Sequence, residues 1–312
     1  MTAANACRRY VAGTFLVLAH IVFGTPWTSQ VVSAQSRSFF LSVTDAEGAP
    51  VTDMNREEVI VETDGERTET LSLEPIDWPV RVSVFVDNGM ASPPILDHIR
   101  EGVRLFVEAL PPEVEVQIGT TGGRPQILAR YTSDRAEITD AIGSIAPDME
   151  GAASFFDALY EEAERLDEDE EGQYFPVIVM VATNGPEGST RVREGPFNEM
   201  IQRIQANNVT LHTRLYTFSS ITGVKQGGDQ ARWGMDIGKH TGGSYEGLST
   251  AIGFRSQLPQ LAQDLARKHR LMSNQYRLTY DPPEGADPNG PVRVLTTRGG
   301  INMMATVDGR LP

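Results

Sequence analysis

Two apolar runs in this chain each break into a polar turn. Val80 to Val86 reads Val-Arg-Val-Ser-Val-Phe-Val and is followed by Asp87-Asn88-Gly89-Met90-Ala91-Ser92. Val177 to Ala182 reads Val-Ile-Val-Met-Val-Ala and is followed by Thr183-Asn184-Gly185. Runs of Val, Ile and Phe ending in Asp, Asn and Gly suit buried parallel strands, whose carboxyl ends open onto a crevice. Two such ends side by side make a ligand site. The residues standing there decide whether it suits a metal ion.

Between Pro79 and about Ser273 strands alternate with helices. Ile95 to Leu110 is amphipathic, with Ile95, Ile99, Val103, Phe106, Val107 and Leu110 on one face. Val114–Thr120 and Ile127–Tyr131 read as strands around Gly122-Gly123, and Asp134 suits the N-cap of a helix reaching Ile145. Ser154–Leu166, Pro196–Ala206, Asp229–His240 and Phe254–Met272 read as helices, and Val209–Thr217 and Ser244–Glu246 as strands. This alternation predicts an α/β fold, a doubly wound and mostly parallel sheet with helices on both faces. Residues 38 to 76 and 274 to 312 are different. Phe39–Val43, Val59–Glu62, Thr68–Leu73, Gln275–Tyr280, Val292–Thr297 and Ile301–Val307 all read as strands. The two ends of a doubly wound domain lie close together, so the segments 38–76 and 274–312 are expected to pack as one small flanking β unit.

The first thirty-four residues read as a secretory signal. Arg8 and Arg9 precede an apolar stretch from Tyr10 to Phe23, and Val32-Ser33-Ala34 supplies small residues for cleavage. The stretch is short for a membrane span of about 20 residues, so cleavage is favoured over a retained anchor. Cleavage leaves 278 of the 312 residues and removes Cys7, the only cysteine, so no disulfide holds the mature chain. It also removes two arginines and no other charge, which moves the net charge from −15 to −17. Such an acidic protein repels phosphate backbones, which argues against nucleic acid. No later segment is apolar enough to insert in a bilayer. The expected location is exported, periplasmic or extracellular.

On these residues, the segment from 79 to 273 resembles a von Willebrand factor type A domain. The chain after residue 38 is similar to bacterial secreted proteins related to that family. Val43-Thr44-Asp45-Ala46-Glu47-Gly48-Ala49-Pro50-Val51-Thr52-Asp53, then Arg56-Glu57-Glu58-Val59 and Glu62-Thr63-Asp64-Gly65-Glu66, resemble the family's N-terminal segment. Gln275-Tyr276-Arg277-Leu278-Thr279-Tyr280 resembles the strand after its last helix. The resemblance implies a divalent ion above the sheet, held by an Asp-x-Ser-x-Ser loop, a threonine from a second loop and an aspartate from a third. Asp87 matches the first aspartate, but Gly89 and Ala91 replace the serines, Ala153 the threonine, and Asn184 the last aspartate. Gly and Ala bring no side-chain oxygen, and Mg²⁺ needs hard oxygen ligands, carboxylates above all. Asp87 and Asn184 therefore remain as a degenerate metal site, with Ser92 and Ser154 one residue beyond the family positions. No cofactor is expected, and Mg²⁺ is the disfavoured alternative.

The remaining candidates are weaker. Asp167-Glu168-Asp169-Glu170-Glu171, after Glu161, Glu162 and Glu164, reads as a solvated helix end. His98, His212, His240 and His269 have no zinc spacing, and His212, inside a strand, reads as a core or rim residue. No Gly-x-Ser-x-Gly elbow marks a hydrolase. The polar loops Gly185–Glu194 and Ser219–Gln230 fall at strand carboxyl ends, where partners bind. Asn88, Arg191, Arg193 and Trp233 are the candidate partner contacts; Trp233 is either an exposed anchor or buried in helix packing. The expected function is a non-enzymatic, adhesion-type module that binds a protein partner through its top-face loops without a metal ion. The alternative is a structural subunit of a cell-envelope assembly that uses the β flanks. A metal-dependent adhesion domain or a hydrolase ranks behind both.

Overall fold

A computed structural model describes residues 36–169, 173–218, 228–287 and 290–311. The signal segment 1–34, Glu170, Glu171 and most of the 219–230 loop lie outside the described residues. The strands are β1 (Arg37–Asp45), β2 (Val59–Thr63), β3 (Glu66–Pro75), β4 (Val80–Val86), β5 (Glu115–Thr120) and β6 (Gln126–Thr132). They continue as β7 (Phe175–Thr183), β8 (Thr210–Tyr216), β9 (Tyr245–Leu248), β10 (Tyr276–Asp281), β11 (Val292–Thr296) and β12 (Ile301–Thr306). The helices are α1 (Leu96–Ala109), α2 (Arg135–Ser144), α3 (Phe155–Asp167), α4 (Glu194–Ala206), α5 (Asp229–His240) and α6 (Phe254–Met272).

The central sheet runs β6-β5-β4-β7-β8-β9. All its neighbours pair in parallel except β5 and β6, which form an antiparallel edge. The doubly wound expectation therefore holds for this sheet. Alternate residues of β4 face opposite sides. Val80, Val82, Val84 and Val86 pack with Ile99 and Phe106 of α1, Ile138 of α2 and Leu258 of α6. Phe85 points the other way, into Phe156 of α3, Met200 of α4 and Trp233 of α5. Every residue of β7 is buried, as expected of a central parallel strand covered on both faces. Asp134 caps α2 as expected, accepting from the backbone N–H groups of Ala136 and Glu137. Gly102 lets α1 touch α6, because a Cβ there would fall 2.8 Å from the Phe254 carbonyl oxygen.

The flanking segments form a second sheet, wholly antiparallel, in the order β11-β2-β3-β10-β1-β12. Its edge strands β11 and β12 are consecutive in the chain. Six flat strands about 4.8 Å apart would put those edges roughly 24 Å from each other. The five residue steps from Thr296 to Ile301 span at most about 18 Å, so the sheet must curl. Leu41, Val43, Val61, Tyr276, Leu278 and Tyr280 fill the inside of the curl. Phe40, Trp78 and Phe175 pack between the two sheets, the first pair edge to face and the second tilted, at centroid separations of 5.2 and 5.4 Å. Phe175 opens β7, so this seam lies at the amino end of the central sheet, opposite the loops that follow Val86 and Thr183.

One sequence expectation fails here. Glu162 is fully buried rather than solvated. Its carboxylate accepts from Ser83 Oγ, Tyr131 Oη, Gln117 Nε2 and Arg165 Nε at 2.5 to 3.1 Å. These partners come from β4, β6, β5 and α3, so a polar cluster pins the helix to the sheet. A buried carboxylate is tolerable only with such partners. Other members of the acidic block are paired as well: Glu161 with Arg191, Glu164 and Asp167 with Arg203, and Asp169 with Arg81.

Candidate functional site

The strand order reverses between β4 and β7, and a doubly wound sheet binds ligands outside the carboxyl ends at such a point. Asp87 closes β4 there and is 2% exposed. Its Oδ1 accepts from the Gly89 N–H at 2.9 Å and its Oδ2 from the Thr183 hydroxyl at 2.5 Å. Thr183 Oγ1 in turn accepts from the Gly185 N–H at 3.1 Å, so the hydroxyl proton is free for Asp87. Burial raises the Asp87 carboxyl above its ordinary range, and the Thr183 and Gly89 hydrogen bonds oppose that rise.

The other expected ligand positions carry no side-chain oxygen, or one already tied to the loop backbone. Ser92 Oγ donates to the Gly89 carbonyl and Ser154 Oγ to the Gly123 carbonyl. Asn184 uses both ends of its amide on Phe218, donating to its carbonyl and accepting from its N–H. Gly89 sits so near the next loop that a Cβ would fall 2.8 Å from the Gly151 carbonyl oxygen. That carbonyl already accepts from the Met90 N–H. The Ala91 methyl covers Gly185, where a Cβ would fall 2.5 Å from it. The donor set left at these five positions does not fit a divalent ion, which needs several hard oxygens free to turn inward.

Backbone hydrogen bonds join the same loops directly. Gly123 N–H donates to Ala152, Ser154 N–H to Thr121, Ala153 N–H to Pro186 and Gly188 N–H to Ala153. Asn88 adds a side-chain strap: its amide donates to the Ala146 carbonyl at 2.7 Å and accepts from the Gly122 N–H at 2.8 Å. It is therefore corrected from a partner contact to an internal brace; both amide ends are used and the residue is 8% exposed. Trp233 is likewise buried, packed on Phe155 and Phe156 at centroid separations of 6.4 and 5.4 Å. That is the helix-packing alternative, not the exposed anchor.

Two residues missed in the sequence order the surviving surface loop. Asp157, in the first turn of α3, accepts from the N–H and hydroxyl of Thr190 and from the Arg191 N–H. Its own N–H donates to Ser189 Oγ. Glu187 accepts from the Ser189 N–H at 3.0 Å, while its Oε2 is buried with no hydrogen-bond partner. Burial pushes the Glu187 carboxyl up to about 7; hydrogen bonds from Ser189 and Phe155 oppose this, and the nearby Asp87 charge adds to it. Above this base Arg191, Val192 and Arg193 reach the surface. Arg191 pairs with Glu161 at 2.8 Å and lies over the Tyr160 ring; Val192 is 44% exposed and Arg193 is exposed. No sequence pattern marks Glu187. Asp157, two residues into a helix beside a loop rich in N–H donors, follows a recognisable capping logic.

No protein-family model matches the sequence, and a search of curated proteins returns no match. Solved structures of similar fold exist. A conserved hypothetical protein BatB from Bacteroides thetaiotaomicron shares 15% identity over 60% of this chain and 99% of that one, with a TM-score of 0.46. A von Willebrand factor type A protein from Catenulispora acidiphila shares 10% identity over 89% of this chain and 74% of that one, at 0.49. The pilus adhesin SpaC from Lactobacillus rhamnosus GG shares 11% identity over 70% of this chain and 34% of that one, also at 0.49. Among the described residues no helix is long and apolar enough to cross a membrane. The strand order, the two helical layers and the switch-point loops give the segment from 79 to 273 a doubly wound α/β fold, the architecture that its resemblance to von Willebrand factor type A domains implies.

Proposed function

We propose that this chain is an exported, non-enzymatic module that binds a protein partner through the loop from 185 to 194, with no divalent ion in the contact. The observation that carries this reading is the loop's construction. Asp157 and Glu187 hold its backbone from below, and Arg191, Val192 and Arg193 are presented from above on an otherwise acidic chain. An ordered loop loses less freedom on binding than a mobile one, and arginine beside an apolar side chain is a common anchor pairing. The complementary surface is acidic with an apolar notch. Metal independence is supported by the absence of side-chain oxygens at Gly89, Ala91 and Ala153, and export by Arg8-Arg9, the Tyr10–Phe23 stretch and Val32-Ser33-Ala34.

The test is retention of envelope proteins on the immobilised mature chain, with and without a chelator, against the double variant Arg191→Glu/Arg193→Glu. The reading expects a saturably retained partner that survives chelation and is lost with the double variant. Retention abolished by the chelator, or unchanged by the double variant, contradicts it. Retention that instead disappears on substituting exposed residues of β11 and β12 would favour the envelope-subunit alternative, in which the flanking sheet makes the contact.

A further inference from the structure

A second site lies away from the loops above the sheet, between β8 and α6. A cleft of about 640 Å³ opens there, lined by His212, Ser244, Asp264, Arg267 and Lys268 among others. That volume lies within the range of small-molecule sites. His212 is 5% exposed. Its Nδ1 accepts from the Ser244 N–H at 3.1 Å, and the Ser244 hydroxyl sits 2.9 Å from the same atom. A backbone N–H can only donate, so Nδ1 is the bare nitrogen. Burial, with Arg214 and Lys268 close by, holds the ring far below its ordinary pKa, at about 3. The neutral ring therefore carries its proton on Nε2. That N–H is buried and has no partner.

An orphaned buried donor is costly and calls for an acceptor. The neighbouring groups are donors too. Arg214, 6% exposed, gives Nη1 to Ser244 Oγ and to the Thr213 and Ser244 carbonyls, yet its Nε is buried without a partner. Lys268 Nζ donates to the Leu311 carbonyl, at 3.4 Å. The acceptor in the cleft, Asp264, is already paired with Arg267. On a chain of net charge −15, Arg214, Arg267 and Lys268 gather around this unmet N–H, with Asp264 and Glu246 as the acidic groups close to Arg214.

We propose that the cleft between β8 and α6 binds a small oxyanion, carboxylate or phosphate, whose oxygen accepts the His212 Nε2–H and whose charge is held by Lys268. The two sources share one chemistry, an anionic oxygen with free lone pairs. Phosphate, with several oxygens, suits the His212 N–H and the Lys268 ammonium together with water; a carboxylate suits one N–H and one ammonium.

The experiment uses the full mature chain labelled with ¹⁵N in histidine. Sodium phosphate and sodium succinate are titrated separately, at constant ionic strength, while the His212 Nε2–H resonance is followed. The expected result is a saturable shift with at least one probe, at a dissociation constant of about 1 mM or tighter. Lys268→Gln, at a partly exposed position, should weaken it by roughly tenfold, as the loss of a charge-assisted contact predicts. The stronger probe identifies the class of anion. A resonance that stays still with both probes, or a shift that Lys268→Gln leaves unchanged, overturns the proposal. So does an Nε2–H found bonded to an internal water that neither probe displaces.

Discussion

Replacing Asp87 with Ala should destabilise the protein by about 2–4 kcal/mol, in the absence of any metal, because hydrogen bonds to a buried carboxylate are strong and their orphaned partners are costly. The Thr183 hydroxyl and the Gly89 N–H both donate to this side chain, and both are buried with it. Removing it leaves two donors unpaired where the β4 and β7 ends meet. Asp87→Asn retains an oxygen and should lose less than the alanine variant. Urea unfolding of wild type and both variants, each in chelator, measures this directly. If Asp87 were only a metal ligand, its loss in chelator would cost almost nothing, because repulsion of an unfilled site would be relieved.

Glu187→Gln should have the opposite sign. The folded carboxyl titrates at about 7 against an ordinary 4.5, so the folded state holds a proton that the unfolded state has released. Where the folded state binds more protons, stability falls as pH rises. The wild type should therefore lose stability between about pH 4.5 and pH 7 from this group and change little above that. Glutamine keeps the shape without the charge. The variant should match wild type near pH 5 and exceed it at pH 8 by about 1–3 kcal/mol, as the size of such a shift implies. Urea midpoints at the two pH values test it. A variant no more stable than wild type at pH 8 would show that the unpartnered oxygen finds solvent.

The strands and helices were legible because their cause is local. Val80–Val86 and Val177–Ala182 are continuous apolar runs, and the central sheet buries both. Asp134 capped its helix as its position suggested. What stayed hidden depends on residues far apart in sequence. Nothing beside Glu162 announces that Ser83, Gln117 and Tyr131 converge on it from three strands, so it read as one more solvated acid. Asn88 looked like a surface polar residue in a loop; its brace needs Gly122 and Ala146. The sequence leaves Trp233 open to two readings; in the structure it shares a buried helix face with Ile237, one turn on. The resemblance drew attention to Asp87 and to the positions around it that carry no side-chain oxygen. It did not show that Gly151, Ala153, Pro186 and Gly188 close the gap with backbone hydrogen bonds.

On the proposed reading, the loops above the sheet are joined by their own hydrogen bonds and bind without an ion. Calorimetric titration of the wild-type mature chain with MgCl₂ and with MnCl₂, after removal of bound metal, tests it most directly. No saturable heat and no rise in melting temperature are expected at millimolar ion, with Asp87→Ala behaving likewise. Saturable binding at micromolar concentration, abolished by Asp87→Ala, would contradict it.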